Sequence, residues 1–380
     1  MKSKAGQLEL YVHIPFCIKK CQYCDFLSGP SDRKTRESYV KALIREICAS
    51  AEDEKREVCS VFIGGGTPSV LEEEWIAEIM NCIRTHFSIA ADAEITMEAN
   101  PGTVTEQKLR ICRESGINRL SLGLQSTEQN DLRMLGRIHT WEDFRDSFLW
   151  ARNGGFSNIN VDLMFAIPGQ DCEKWSHSLR KTVELRPEHI SAYSLIIEEG
   201  TPFGEHLPES LPDEETEYRM YEDTAAILRG YGYQQYEISN YALPGYECRH
   251  NVGYWNRREY LGLGLGAASL YQGLRFFNTK DMNEYLTDSG NPQKIRKEVT
   301  CLSKNDAMEE FMFLGLRMTK GISEKEFLKQ FGCEIDSIYG KILEKYRAEG
   351  FLQKNGDFWS FTRKGIHVSN YILADFLLDQ

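Results

Sequence analysis

The sequence predicts an α/β protein in which a mostly parallel sheet is followed by a smaller helical module. The chain has 380 residues, which suggests two domains, or one α/β barrel with an appended module. Short apolar runs alternate with amphipathic stretches over the first part of the chain, and this alternation predicts six strand–helix units. The last part of the chain shows the order helix, helix, β-hairpin.

The six units follow one another closely along the chain. The predicted strands cover residues 8–14, 58–65, 93–100, 117–126, 157–167 and 189–196. The helices that follow them cover residues 36–51, 71–87, 106–115, 141–153, 173–185 and 213–229, with a further helical stretch near Asp131. Six units are too few for a full eight-unit barrel, so a partial barrel or a doubly wound sheet fits the count. In either fold, the carboxyl ends of the strands are expected to carry the chemistry.

The remainder of the chain predicts two further regions. Residues 236–300 are rich in aromatic residues and glycine and are interpreted as strands and loops, after a first domain at 1–235. Residues 301–380 are predicted to form a winged-helix-like α+β domain. Its helices are expected at 306–319, 323–331 and 335–349, a hairpin turns at Asn355-Gly356, and a last helix starts at Arg363.

Charge and hydropathy exclude several classes of protein. The net charge is −12 and the sequence pI is about 5.3, which argues against a general binder of nucleic acid or anionic membranes. The winged-helix-like part from Gly321 onward has eight Lys/Arg and nine Asp/Glu, whereas a DNA-groove reader should be basic. No apolar run reaches the ~18 residues of a membrane span, and the amino terminus has no signal-like core. We therefore expect a cytoplasmic protein without a membrane segment.

The cysteines fall into two groups. The chain has 11 cysteines, and in a reducing compartment most are expected to be small buried hydrophobic residues. Eight of them are scattered singly: Cys48, Cys59, Cys82, Cys112, Cys172, Cys248, Cys301 and Cys333.

The other three cysteines form a motif. Cys17, Cys21 and Cys24 have the spacing Cys-x3-Cys-x2-Cys and follow the first predicted strand in a loop. A four-iron cluster uses one thiolate per iron, so three cysteines would leave one iron open. A zinc ion would need a fourth ligand, and His13 lies inside the strand pattern. The spacing favours an iron–sulfur cluster over zinc or no metal.

Polar residues at the strand ends indicate a common site. Glu98, Gln125 and Asp162 lie on three successive predicted strands, where burying a polar group without a partner is costly. Three glycines at 64–66 follow the second strand and would let backbone groups approach a small ligand. A tight turn explains these glycines equally well, and no Gly-Lys-Ser/Thr follows that would make a P-loop.

The cysteine motif "CIKKCQYC" resembles that of the radical S-adenosylmethionine superfamily. The stretches "YVHIPFC", "GGGTP", "MEANP", "LGLQS", "LGR" and "DLMFAIPGQ" are similar to its coproporphyrinogen III oxidase-like branch. The resemblance implies a partial (β/α)6 TIM-like barrel and a 4Fe-4S cluster on Cys17, Cys21 and Cys24. It also implies that S-adenosylmethionine binds the open iron and contacts Tyr11, Tyr23, Gly65, Gly66, Thr67, Glu98, Gln125, Arg137 and Asp162.

Two features separate the members of this branch. The oxidases carry a further cysteine at the position of Phe26 and a longer amino-terminal extension, whereas this chain has ten residues before Tyr11. The HemW-type haem chaperones have the phenylalanine, the short start and a His-Asn-x-x-Tyr-Trp motif. The motif is complete here, as His250, Asn251, Tyr254 and Trp255.

The second resemblance implies a function. It implies that these four residues bind haem, which is then passed to an acceptor haemoprotein, with a homodimer left open. By residue type alone, His250 beside Asn251 suits a hydrogen-bonded structural group in a loop just as well as a haem ligand. The alternative is a radical enzyme acting on a tetrapyrrole, as an oxidase, a methyltransferase or a ring-opening enzyme. Phe26 argues against the oxidase.

Overall fold

The computed structural model describes residues 6–378. Residues 1–5 and 379–380, which are the outer ends of the predicted first and last domains, lie outside the described residues. Six parallel strands form the centre of the molecule: β1 (Gln7–Ile14), β2 (Glu57–Gly65), β3 (Ser88–Ala99), β4 (Arg119–Gln125), β5 (Ile159–Phe165) and β6 (His189–Ser194). The helices between them are α1 (Arg33–Ala51), α2 (Glu73–His86), α3 (Glu106–Glu114), α4 (Gln129–Met134), α5 (Trp141–Asn153) and α6 (Cys172–Val183).

The order of the strands decides between the two predicted folds. Each of the six strands pairs in parallel with the next one along the chain. A doubly wound sheet would reverse its strand order at a switch point, and no reversal occurs among these strands. The partial (β/α)6 barrel is therefore confirmed.

Side chains alternate along each barrel strand. In β1, Leu10 and Val12 are fully buried in the apolar core between sheet and helices, because successive residues of a strand point to opposite faces. Glu9, Tyr11 and His13 take the other face and line the barrel interior. The interior of this barrel is consequently polar and the outer side of its sheet is apolar.

The segment after the barrel extends the same sheet. It comprises α7 (Pro202–Glu205), α8 (Glu214–Gly230), β7 (Gln234–Gln235), β8 (Asn240–Ala242), α9 (Arg249–Trp255), β9 (Tyr260–Leu263), β10 (Ala268–Tyr271), β11 (Leu274–Asn278), α10 (Met282–Asp288), α11 (Pro292–Ile295) and β12 (Arg296–Cys301). Strand β9 pairs in parallel with β1, and β8 pairs antiparallel with β6. Both edges of the barrel sheet are thereby covered, giving 12 strands in all.

Helix α9 differs from the strands and loops predicted for this segment. Its N-cap residue Cys248 makes no side-chain capping bond, and Gly253 within the helix has a low helix propensity. The local signals for a helix are therefore weak. The cap comes instead from Glu94 on β3, whose carboxylate accepts from the backbone N–H groups of Arg249 and His250, both at 3.1 Å. A residue distant in the chain therefore supplies the N-terminal cap that the local sequence lacks.

The carboxyl-terminal part has its own core. It contains α12 (Lys304–Gly315), β13 (Ile322–Ser323), α13 (Glu324–Phe331), α14 (Ile335–Ala348), β14 (Leu352–Asn355), β15 (Phe358–Phe361), α15 (Arg363–His367) and α16 (Ser369–Ala374). The three strands form a separate sheet in the order β13-β15-β14, and Phe327, Tyr339 and Trp359 are fully buried in the core beside it. The winged-helix outline is confirmed. The hairpin turn lies at Gly356-Asp357, one residue later than predicted.

Salt bridges join the two parts. Glu310 on α12 accepts from Arg257 at 2.8 Å and from Arg275 at 2.6 Å, which links the carboxyl-terminal helices to the extended sheet. Arg363 pairs with Glu222 of α8 at 2.7 Å. Within residues 6–378, no helix has an apolar stretch long enough to cross a bilayer.

Candidate functional site

The three motif cysteines lie on a loop at the carboxyl end of β1. Backbone hydrogen bonds hold this loop at two points: the Cys17 N–H donates to Gly29 O at 3.0 Å, and the Gln22 N–H donates to Leu135 O at 3.0 Å. All three cysteines are free and partly buried. The loop thus presents three thiols at the mouth of the barrel, where the strand–helix alternation predicted the chemistry.

The spread of the thiols suits a cluster better than a single ion. The three sulfur atoms do not all lie within 4.8 Å of one another, whereas the ligands of one tetrahedral ion are close together. Each thiolate of a four-iron cluster binds a different iron, so wider spacing is expected. His13 is not a free fourth ligand, because its Nε2–H donates to Leu27 O and its Nδ1 accepts from the Tyr11 hydroxyl, both at 2.9 Å.

Arg137 connects the cysteine loop to the barrel. One of its Nη atoms lies 3.7 Å from Cys21 Sγ, while the other donates to Asn100 Oδ1 at 2.6 Å and to Gly123 O at 2.7 Å. A guanidinium beside a thiolate stabilises its negative charge. Arg137 is therefore a partly buried group of the site rather than a solvated cation, and Asn100 is a neighbour that the sequence analysis missed.

The glycine turn lies against the same mouth. The Gly65 N–H donates to Glu98 Oε2 at 3.0 Å, and the Gly66 and Thr67 N–H groups donate to backbone carbonyls at the end of β1. Gly65 has φ of +111°, and an added Cβ would lie 2.4 Å from the His13 ring. The turn needs glycine for its own geometry, and its N–H groups are already satisfied. An amino group at this position would find the Glu98 carboxylate as an acceptor.

Burial raises the pKa of the two carboxyl groups at the site. Burial, followed by repulsion from Asp162, raises the pKa of Glu98 to about 8. Burial likewise raises the pKa of Asp162, although hydrogen bonds from Asn160 at 2.7 Å and Ser121 at 3.0 Å oppose this shift. A bound cation would relieve the repulsion between the two groups, because it favours their charged forms.

Gln125 and Gly123 complete one side of the mouth. Gln125 has φ of +70°, and its buried Oε1 has no hydrogen-bond partner among the described residues. A Cβ added to Gly123 would lie 2.5 Å from Asn100 Oδ1, 3.1 Å from Arg137 Nη2 and 3.3 Å from Gln125 Nε2. Three polar groups therefore converge on this glycine, and the orphaned amide oxygen is available to a ligand.

The two tyrosines lie on either side of the mouth. Tyr23, on the cysteine loop, packs with the apolar cluster around Leu135. Tyr11 stacks on Phe62 with ring centroids 6.4 Å apart. Among the predicted S-adenosylmethionine residues, Gly65, Glu98 and Gln125 lie at the carboxyl ends of β2, β3 and β4, whereas Tyr11 and Asp162 lie midway along β1 and β5. A cleft with an empty volume of about 330 Å³ opens at the mouth between Cys17, Cys21, Thr67, Asn100 and Arg137.

Deeper in the barrel is a polar network that the sequence analysis missed. His189 Nδ1–H donates to Asn160 Oδ1 at 2.6 Å, and its Nε2 accepts from the Tyr236 hydroxyl at 2.9 Å. Arg119 is 2% exposed, and its Nε has no partner in the described part of the chain. The sequence carries one signal for this network: polar and apolar residues alternate within the strands, as in "RLSLGLQ" and "INVDLMF".

The His-Asn-x-x-Tyr-Trp motif lies at the other end of the barrel. His250 on α9 is 1% exposed, its Nδ1 pairs with Ser60 Oγ at 2.9 Å, and its ring stacks on Phe62 at 5.2 Å. Burial, followed by the charges of Arg258 and Arg119, lowers the pKa of His250 to about 3. The imidazole is therefore neutral, and the structure does not bring it together with the cysteines.

Two other residues of the His-Asn-x-x-Tyr-Trp motif, Asn251 and Tyr254, lie beside His250 on α9. The Tyr254 ring packs against the His250 ring at 4.6 Å, and Asn251 occupies the same helix. Trp255 differs because it lines an open cleft between α9, α12 and α16, with an empty volume of about 760 Å³.

The chain is similar to known proteins over nearly its whole length. Residues 11–181 match the family model of the radical SAM superfamily, and residues 302–368 match that of the HemN C-terminal domain. A protein named heme chaperone HemW from Lactococcus lactis is 36% identical over 97% of each chain. HemW of Escherichia coli is 36% identical over 99% of this chain and 100% of its own length.

A solved structure has the same fold. Coproporphyrinogen III oxidase (HemN) from Escherichia coli, described as a radical SAM enzyme, superposes with a TM-score of 0.87 over 99% of this chain and 91% of its own. At 24% identity, this likeness concerns the fold alone. The full-length identity to the curated relatives is the stronger finding, and by it the chain belongs to the HemW family of radical S-adenosylmethionine proteins.

Proposed function

We propose that this protein is a cytoplasmic haem chaperone, which binds haem and passes it to an acceptor haemoprotein. The observation that carries the proposal is the 36% identity over nearly the full length to proteins named heme chaperone HemW. Such coverage includes the barrel, the extended sheet and the carboxyl-terminal module together.

The oxidase alternative has less support. Its structural relative shares the fold at 24% identity, and a fold hosts several functions. Position 26 holds a phenylalanine that is 59% exposed at the edge of the cysteine loop, where the oxidases have a further cysteine. This chain therefore lacks the additional thiol that distinguishes the oxidases from the haem chaperones of this branch.

The mouth of the barrel fits a cluster and S-adenosylmethionine. Cys17, Cys21 and Cys24 would hold three irons. Glu98 and the orphaned oxygen of Gln125 would accept hydrogen bonds from the nucleoside-linked methionine, and Arg137 would hold the cysteine loop against the barrel. The bound cluster supplies an electron that can cleave the sulfonium. The protein's own residues would orient the cofactor and keep it at the mouth.

We further propose that haem docks in the cleft beside Trp255. The cleft is lined mostly by apolar side chains, including Phe313, Leu314 and Leu373, as is usual for ligand pockets. The Arg317 guanidinium lies over the Trp255 ring at 4.8 Å. Trp255 Nε1 and Arg317 Nε are buried and have no partner among residues 6–378, so each lacks a hydrogen bond that a haem carboxylate would supply once the side chain turns toward the cleft.

His250 would ligate the haem iron only if α9 left the barrel. Its ring is enclosed between Phe62 and Tyr254, although its Nε2 has no partner in the described structure. The proposed haem affinity therefore comes from the cleft, and coordination of the iron by His250 stays a prediction that requires α9 to move.

Haem titration followed by the Soret absorbance tests both parts. Arg317→Met is expected to weaken haem binding about tenfold, which corresponds to about 1.4 kcal/mol and suits a lost charged hydrogen bond. Trp255→Ala is expected to weaken it at least as much. Trp75, which carries Arg33 over its ring at 5.4 Å on the outer helices, is the matched control: Trp75→Ala should leave haem affinity unchanged.

The outcomes separate the alternatives. Unchanged affinity in both cleft variants would contradict the cleft, and an unchanged haem spectrum in His250→Ala would exclude His250 as an iron ligand. Failure of the wild-type protein to bind haem, together with anaerobic turnover of coproporphyrinogen, would replace the chaperone with the oxidase.

A further inference from the structure

Three soft ligand atoms meet outside the barrel, between α1 and α2. The side chains are Cys48 on α1 and Cys82 and His86 on α2, and their ligand atoms all lie within 4.8 Å of one another. The two sulfur atoms are 3.7 Å apart, and Cys82 Sγ is 3.7 Å from His86 Nδ1. Both cysteines are free thiols. Neither cysteine was expected from the sequence to be more than a small buried hydrophobic residue.

These distances match the edges of a tetrahedral metal site. Two thiolates bound to one zinc ion at about 2.3 Å, with tetrahedral angles, lie about 3.8 Å apart. A thiolate and an imidazole nitrogen bound at about 2.3 and 2.0 Å lie about 3.5 Å apart. The observed separations of 3.7 Å are close to both values, and the ligand atoms of Cys48 and His86 lie within 4.8 Å of each other.

The helices explain how the ligands are brought together. Cys82 and His86 are four residues apart on α2, so they lie on one face one turn from each other. Cys48 comes from the last turns of α1, which packs alongside α2. Helices of an α/β barrel run antiparallel to their strands, so these carboxyl-terminal turns lie near the amino ends of the strands, away from the motif cysteines.

Two of the three side chains reach solvent. Cys82 is buried and Cys48 is half-buried, whereas His86 is exposed. Glu78, one turn before Cys82 on α2, is also exposed and could supply an oxygen as the fourth ligand. His86 Nδ1–H now donates to Cys82 O at 2.9 Å; binding a cation requires the other neutral tautomer, with the proton on Nε2.

We propose that Cys48, Cys82 and His86 form a second metal site, which takes a zinc-class divalent ion and cross-links α1 to α2. Two thiolates and an imidazole are the ligand types that zinc prefers. The two thiolate charges neutralise the charge of the ion, which suits the buried position of Cys82. Both thiol protons are released on binding. The site shares no residue with the cluster loop and does not depend on the proposed haem function.

Metal analysis of the full-length, cluster-loaded protein tests the proposal. The anaerobic protein is equilibrated with Zn(II), freed of excess and assayed for zinc and iron, and we expect one zinc per chain in addition to the iron. Co(II) in place of zinc should give the thiolate charge-transfer and d–d bands of a tetrahedral site. Losing a group that only orients a metal ligand typically costs about 10–100-fold in affinity, so Cys82→Ser should cost more than about 100-fold.

Matched variants keep the test specific. Cys301 is exposed and lies outside the site, so Cys301→Ser should retain zinc. His86→Gln changes an exposed residue and should fold normally, with zinc affinity reduced at least about tenfold. Iron content should be unchanged in every variant. The proposal is overturned if the wild type retains no zinc, if Cys82→Ser or His86→Gln retains it with wild-type affinity, or if the two thiols are recovered only as a disulfide.

Discussion

The two ends of the barrel interior contain similar residues but differ in access. At the carboxyl end, the thiols of the cysteine loop are partly exposed beside a cleft. At the amino end, α9 closes the barrel, and Glu9 and His250 are at most 1% exposed. Buried polar groups occur at both ends, so polarity alone does not distinguish a cofactor site from a structural plug.

The charges at the two ends are also balanced differently. Glu9 at the amino end accepts from Arg258 at 2.7 Å, which supplies an opposite charge. Glu98 at the carboxyl end faces Asp162, a group of the same sign, and the charge of Arg119 acts on it without a direct hydrogen bond. The difference teaches that the carboxylate at the amino end is paired with a cation of the protein itself, whereas Glu98 makes no ion pair among the described residues.

The strongest test of this difference removes one thiol at the mouth. Cys21→Ser is expected to abolish the cluster, because each iron needs its own thiolate: iron should fall from about four per chain to less than about one. Anaerobic iron and sulfide analysis with electron paramagnetic resonance of the reduced protein measures this. Cys59→Ser at the amino end should retain the cluster, and a cluster retained in Cys21→Ser would contradict the assignment of the mouth.

A substitution at the amino end should act on stability instead. His250→Ala removes a buried ring from between Phe62 and Tyr254 and should lower the free energy of unfolding by about 2–4 kcal/mol. Urea unfolding followed by circular dichroism measures this change. The exposed His206 provides the control, since His206→Ala should change it by less than about 0.5 kcal/mol. A stability loss for His250→Ala no larger than that of the control would show that α9 is not a structural plug.

A smaller effect is expected from crowding the mouth. The Cβ in Gly123→Ala would lie 2.5 Å from Asn100 Oδ1 and should displace the Arg137–Asn100 pair. We expect S-adenosylmethionine affinity to fall about tenfold, or about 1.4 kcal/mol, with cluster content unchanged. Isothermal titration of the cluster-loaded protein measures it, and Gly230→Ala, where nothing lies within 4 Å of the added atom, is the control. Equal affinities in the two variants would argue against a ligand at this position.

The last expected effect is a change in the pH dependence of stability. Because the pKa of Glu98 is raised from 4.5 to about 8, the native state keeps a proton that the unfolded state releases between these values. The resulting stability is present below about pH 4.5 and is lost as the pH rises through about 8. Glu98→Gln should therefore flatten the decline of the urea midpoint between about pH 5 and 8.

The charged neighbours must stay constant in that comparison. Glu98 is faced by Asp162 and Arg119 in addition to the Gly65 N–H, and these remain in the variant. Glu106→Gln, at an exposed position on α3, controls for the general loss of a negative charge. An undiminished decline in Glu98→Gln would assign the pH dependence to other groups.

Local sequence determined most of the fold. The six βα units could be predicted because the apolar periodicity of strands and helices is a property of neighbouring residues. The cysteine motif could also be predicted, because its three cysteines lie within eight consecutive residues. Glu98, Gln125 and Asp162 were expected to share one site, because functional residues gather at the carboxyl ends of parallel strands.

Tertiary structure alone decided the rest. That the sheet is a barrel and not a doubly wound sheet depends on strand order, which hydrogen bonds between distant segments establish. The helix carrying His250 exists because Glu94, more than 150 residues earlier, caps it. The approach of Cys48 to Cys82 likewise depends on how α1 packs on α2. Residue type and spacing describe which groups a chain possesses, but only packing determines which of them meet and which remain accessible to solvent.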